Sequence, residues 1–258
     1  MSSRRAGLTI LFLILLAVSV AFFFVPRIPQ PLSYHDFADR RSWLEIPNFA
    51  NVVSNLPFAI FGLMGLAFLR SSSCKEKFLN PRERWPYSFF FVGLFLTAFG
   101  SGYYHAHPNN STLLWDRLPM TIAFTGLIAA LIAERIDVTA GIRSLAPLLL
   151  VGVSSPIQWY LSELYGRGDL RFYAAVQLSA VLSLPLFLVL FPPRYSRSYD
   201  LAFVLGFYVL AKLCETLDRQ IVAAGQLVSG HTLKHLAASL SGYWILRMLR
   251  LRQPLSRS

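Results

Sequence analysis

Charge is scarce in this sequence, and sulfur scarcer. Only 14% of its 258 residues are charged, where a soluble domain carries about a quarter. A disordered chain, a disulfide-stapled secreted domain and an ordinary cytosolic enzyme are all excluded by that composition. The two cysteines, Cys74 in a basic loop and Cys214 inside an apolar segment, supply neither a disulfide framework nor a CxxC metal pair. Acidic residues are the rarer kind of charge, 13 against 24 basic ones, for a formal charge of +11. The basic residues are scattered through short loops and the C-terminal tail and form no single stripe, so a nucleic-acid partner is not expected. No 20–50-residue period recurs, and no Gly/Ser linker or charged run divides the chain.

What is present is apolar: 55% of the residues are hydrophobic. Six uncharged runs, Gly7 to Val25, Ala50 to Leu69, Trp85 to Tyr104, Leu118 to Ala133, Ser144 to Ser162 and Phe172 to Pro193, approach the roughly 20 residues needed to cross a bilayer. Two weaker runs follow, Leu201 to Leu217 with Lys212 and Glu215, and Ser229 to Leu249, which opens on His231, Lys234 and His235. The expected fold is therefore an all-α integral membrane protein, a seven-transmembrane-helix bundle plus one extra N-terminal helix. Residues 1–26 read as a retained anchor or signal-like helix, with Arg4 and Arg5 before it and no A-x-A site after Val25. Residues 27–250 form the bundle and 251–258 a basic cytoplasmic tail. With the N-terminus inside, 15 Lys and Arg residues fall on the cytoplasmic side and eight on the other. That bias places both termini in the cytoplasm.

Polar groups within spans are costly and by default mark a functional site. The third run ends in GSGYYHAHPNN, where Ser101 and His105 lie four apart on one helix face, with His107 beyond it. Asp116 follows in LLWDRLPM, and the last run opens with SGHTLKH, where His231 and His235 are again four apart. The topology brings all of them to the non-cytoplasmic ends of their helices. Two histidines one turn apart and a third from a neighbouring helix can ligate one metal ion and leave a position for water. Three neutral imidazoles leave Zn²⁺ its full charge, so it can lower the pKa of that water to about 7. A nearby aspartate can take the proton, and a serine hydroxyl can bond an oxyanion.

Each residue also has a plainer reading. An isolated HxxxH often only bonds headgroups, Asp116 can cap a helix or pair with Arg117, Ser101 can be a close-packing residue, and His107 reads as structural. Asp36, Asp39, Glu45, Asn48, Asn51 and Asn55 crowd the second run and the loop before it. Their spacing does not match an EF-hand, and Asn51, Ser54 and Asn55 can instead bond between helices. Lys212, Glu215 and Asp218 read as an intramembrane charge pair plus a cap. Arg247, Arg250 and Arg252 read as an anchor near anionic lipid. Trp85, Trp115, Trp159 and Trp244 read as an interfacial belt.

Taken together, Ser101-x-x-x-His105, Asp116 eleven residues on, and His231-x-x-x-His235 resemble the alkaline ceramidase family, within the seven-helix membrane hydrolases that include the adiponectin-receptor-like proteins. The run NVVSN at Asn51 to Asn55 is similar to the start of that family's first helix, and the resemblance covers about residues 34–250. It implies a zinc-dependent amidase that cleaves ceramide, or a related N-acyl sphingolipid drawn laterally from the bilayer, into a sphingoid base and a fatty acid. His105, His231 and His235 would then be the Zn²⁺ ligands, Asp116 would bind or activate water, and Ser101 would assist at the carbonyl oxygen. Characterised eukaryotic members of that family also carry a Ca²⁺ site in the segment before their first helix. Here Asn48 stands where the pattern has glutamate, and Asp36 and Asp39 are out of register, so Zn²⁺ is carried over and Ca²⁺ is not. The extra N-terminal helix is a second departure. A receptor-like or metal-stabilised protein without turnover is the alternative. Oligomeric state is not legible.

Overall fold

The computed structural model describes residues 3–225 and 227–255. Among them the chain is all helical and has no strand. Its ten helices are α1 Ser3–Phe24, α2 Phe49–Val53, α3 Leu56–Arg70, α4 Arg84–Ala106, α5 Asn110–Arg135, α6 Val138–Leu164, α7 Arg171–Leu190, α8 Asp200–Thr216, α9 Asp218–Gly225 and α10 Gly230–Leu251. Every apolar run of the sequence lies largely within a helix. The second run is broken at Ser54 and Asn55, and α3 restarts with Pro57 in its first turn, where a missing N–H costs nothing.

Five segments are long and apolar enough to cross a membrane: Arg4–Phe24, Phe49–Arg70, Asn110–Arg135, Val138–Leu164 and Arg171–Leu190. The three other long helices, α4, α8 and α10, carry Ser101 and His105, Lys212 and Glu215, and the His231/His235 pair. The polar interior is thus shared between these helices and α5, which carries buried Asp116, Arg117 and Glu134 and still qualifies as a span. Side chains such as Phe12, Phe23, Leu150 and Val189 stand exposed on the outer faces, as suits a lipid-facing surface and not a water-facing one.

The bundle is built by adjacency. Helix α4 packs between α3 and α5, α5 also meets α6 and α7, α10 lies against α8 and α3, and α1 rests on the outside of α7. The α4–α5 contact is the tightest and also matters for the site. Pro119 has no N–H to offer the Trp115 carbonyl one turn earlier. A Cβ placed on Gly100 of α4 would collide with that same carbonyl oxygen. Glycine at 100 therefore lets the backbones touch where Ser101 and Asp116 follow on the two helices.

The opposite end of the bundle holds a second polar core. Arg252, expected among the outward-facing anchor residues, is only 1% exposed. It pairs with Glu134, donates to the Lys77 carbonyl at 3.0 Å and stacks over Tyr195 and Phe78. Tyr87 donates to Glu134 at 2.9 Å, and Tyr195 donates to buried Glu83. Burial pushes the Glu83 carboxyl above its ordinary range. Arg247 instead reaches Asp200 at 3.5 Å. The start of the tail is therefore part of the core, while residues 256–258 lie outside the described ones.

Candidate metal centre

Local capping puts the histidines in place. Helix α4 runs out at His107, the residue before Pro108, where a continuing helix is disfavoured. Asn109 then opens α5 with a reciprocal capping box to Thr112. Ser229 caps α10 by accepting from the Thr232 N–H at 2.9 Å. The Ser229 and Thr232 hydroxyls both donate to Asn51 Oδ1, at 3.2 and 2.8 Å, which pins the first turn of α10 to α2. Asp218 accepts from the His231 N–H at 2.8 Å and from the Ala38 N–H at 3.0 Å, tying α10 and the N-terminal loop to the start of α9.

The result is convergence. His105, His231 and His235 are all buried, and one ligand nitrogen from each lies within 4.8 Å of the others. His105 Nε2 stands 3.1 Å from His235 Nε2 and 3.3 Å from His231 Nε2. Tetrahedral coordination with metal–nitrogen bonds of about 2.0–2.1 Å requires ligand nitrogens roughly 3.3 Å apart.

Hydrogen bonding orients at least one ring. The Ser54 hydroxyl lies 3.1 Å from the Asn51 carbonyl and 2.8 Å from His235 Nδ1, and when it donates to the carbonyl it accepts from that nitrogen. In that arrangement the His235 proton is on Nδ1 and the Nε2 lone pair faces the cluster, as is usual for a metal-binding histidine. Lone pairs gathered this closely repel unless a cation lies among them. The three residues fit a metal ion on geometry. Ser54→Ala is expected to weaken metal binding about 10–100-fold while leaving all three histidines in place, which competition against a metal-selective chelator would measure.

Ser101 and Asp116 are both buried, and the Ser101 hydroxyl lies beside the Asp116 carboxyl. Asp116 neither caps α5, which Asn109 does, nor forms an ion pair with Arg117. His107 is not in the cluster; its carbonyl accepts from Thr112 and Asn109. Lys212 and Glu215 pair, with Lys234 joining at 3.0 Å.

The loop before α2 covers the site. Phe37 lies against the rings of both His105 and His231, with centroids 4.7 and 4.8 Å away, and Asn48 donates to the His105 carbonyl at 2.8 Å. His35 bonds Tyr104 and Asn110, and partial burial lowers its pKa from the ordinary histidine value. The acidic residues of this loop meet guanidinium groups: Asp36 pairs with Arg40 and Arg219, and Asp39 with Arg41. The Arg41 hydrogen bonds hold the Asp39 carboxyl below the usual carboxylate range.

Ser101, Asp116 and His235 all border a cavity of about 340 Å³ that continues among apolar side chains such as Phe90, Leu127 and Leu184. Comparison of the sequence with family models and with curated proteins gives no match. The reading of the site therefore stands on its geometry. The three histidines singled out in the sequence come together, and Ser101 and Asp116 border the same cavity as His235. Sequence reasoning noted Ser54 and Asn51 as polar residues in an apolar run without their partners, and it missed Phe37, which carries no sequence signal.

Proposed function

We propose that this protein is an integral-membrane, zinc-dependent hydrolase of a lipid amide, ceramide or a related N-acyl sphingolipid. In this reading α2 to α10 form a seven-span bundle with α1 as an extra N-terminal helix. Both termini are cytoplasmic, and the site lies near the non-cytoplasmic face. The observations that carry it are the convergence of three imidazole nitrogens and an apolar cavity that His235 borders together with the Asp116 carboxyl and the Ser101 hydroxyl. The resemblance of Ser101, His105, Asp116, His231 and His235 to the alkaline ceramidases points the same way.

His105, His231 and His235 would hold the ion, which when bound supplies a Lewis acid and a water made acidic enough to act near neutral pH. The apolar wall takes the acyl chain and positions the amide at the polar end, so binding energy orients the reacting groups. Asp116 accepts a proton from the attacking water. Ser101 donates to the Asp116 carboxylate at rest and turns its single O–H to the carbonyl oxygen as Asp116 takes up the proton and charge builds there. The carbon–nitrogen bond breaks and Asp116 returns the proton to the leaving amine, giving one carboxylic acid and one amine per water consumed. Phe37 and the loop around it shield the imidazoles on the other side.

Asp116→Asn keeps the shape and removes the base. Ceramide hydrolysis by the purified protein is expected to fall by about 10²–10⁴, with metal content unchanged. Full hydrolysis by that variant would remove Asp116 from the mechanism. Bound metal with no product from any N-acyl lipid would instead favour a metal-stabilised membrane protein without turnover.

A further inference from the structure

Arg117 is one residue beyond Asp116, borders the same cavity, and is only 6% exposed. A buried guanidinium is costly without a counter-charge, yet among the described residues it forms no ion pair. Its Nη2 donates to Gln30 Oε1 at 2.7 Å, while its Nη1 is buried with no hydrogen-bond partner. Glu163 does not supply the missing charge: one of its carboxylate oxygens accepts from the Gln30 N–H at 2.7 Å and from the Trp159 indole at 3.1 Å. The guanidinium is held rigidly, 4.1 Å from the Trp159 ring centroid and 4.7 Å from that of Tyr173. Trp159, expected in the interfacial belt, is fully buried.

The remaining ionisable groups on the cavity wall do not offset this charge. Lys212 and Lys234 share the single carboxylate Glu215. With Asp116 counted as an anion and His235 neutral, three cations face two anions. A preformed donor, buried, unpaired and stacked between aromatic rings, is the arrangement that planar oxyanions select.

We propose that the cavity takes an N-acyl amphiphile with a carboxylate close to the amide, as in an N-acyl amino acid, and that Arg117 binds that carboxylate. Asp116 and Arg117 border the same cavity, so one ligand can reach both. The amide part of this inference rests on the hydrolase reading; the anion part does not.

The test compares N-palmitoylglycine, its methyl ester and ceramide on the full-length protein in detergent. Binding is followed by tryptophan fluorescence, because Arg117 lies over Trp159, and hydrolysis is followed by fatty-acid release. The acid is expected to bind at least about tenfold more tightly than the ester, the ratio a charge-assisted hydrogen bond provides. Arg117→Gln is expected to bring the acid to the ester's affinity, and Arg117→Lys to restore part of the preference. Equal binding of acid and ester by the unaltered protein overturns the proposal without recourse to any variant. So does an Arg117→Gln protein that loses affinity for both in the same proportion, which would make Arg117 a packing residue. Selective binding of the acid with no fatty acid released from any of the three compounds sustains the anion site and overturns the hydrolase reading. Release at equal efficiency from acid and ester does the reverse.

Discussion

Replacing His235 by alanine is expected to reduce metal content from close to one ion per chain to under about a tenth, and to abolish amide hydrolysis with it. Two imidazoles would remain, and metal affinity falls steeply when a ligand is lost from a site whose binding energy is shared among few donors. The effect should exceed that of Ser54→Ala, which only releases the ring from its hydrogen bond. His107→Ala supplies the control, because His107 lies outside the cluster and should leave metal content intact. Elemental analysis of the three purified proteins side by side decides the matter. A His235→Ala protein that retains a full equivalent would mean that the imidazoles gather for another reason.

Glu134→Ala is expected to be the most destabilising single change, at about 3–5 kcal/mol. Arg252 is fully buried, and its ion-pair partner is Glu134. Deleting the carboxylate strands a guanidinium among Phe78, Tyr87 and Tyr195 and takes the acceptor from the Tyr87 hydroxyl. The cost belongs to the unpaired charge more than to the lost contact. Removing both charges in Glu134→Ala/Arg252→Met should therefore recover much of it, since a buried ion pair replaced by apolar groups is often near neutral. Thermal unfolding in detergent tests both. A single variant as stable as the parent would show that water reaches Arg252.

This end of the molecule also marks a limit of sequence reading. Arg252 has the sequence context of a lipid anchor, following Arg247 and Arg250 at the end of an apolar helix. Nothing local reveals that Glu134, 118 residues earlier, waits opposite it. The same holds for Arg117, whose burial under Trp159 and Tyr173 depends on how α5, α6 and α7 meet. Charge position along a helix is legible; the environment on each face is not.

For the site, the outcome differs because helical spacing is local. Ser101 with His105, and His231 with His235, had to share faces once α4 and α10 formed, and Asn109, Pro108 and Ser229 determine where those helices end and begin. The apolar runs foretold the helices, because a chain with so little charge must satisfy its backbone internally. Sequence thus determined the helices, the two histidine faces and the polar residues that could gather at one end. Tertiary structure alone decided that three ring nitrogens gather within 4.8 Å of one another, that Ser54 contacts His235 Nδ1 and that Phe37 covers the rings of His105 and His231. It also decided that Arg117 is buried without a counter-ion. Those facts depend on contacts between residues far apart in the chain, such as the α4–α5 approach at Gly100, and no local periodicity encodes them.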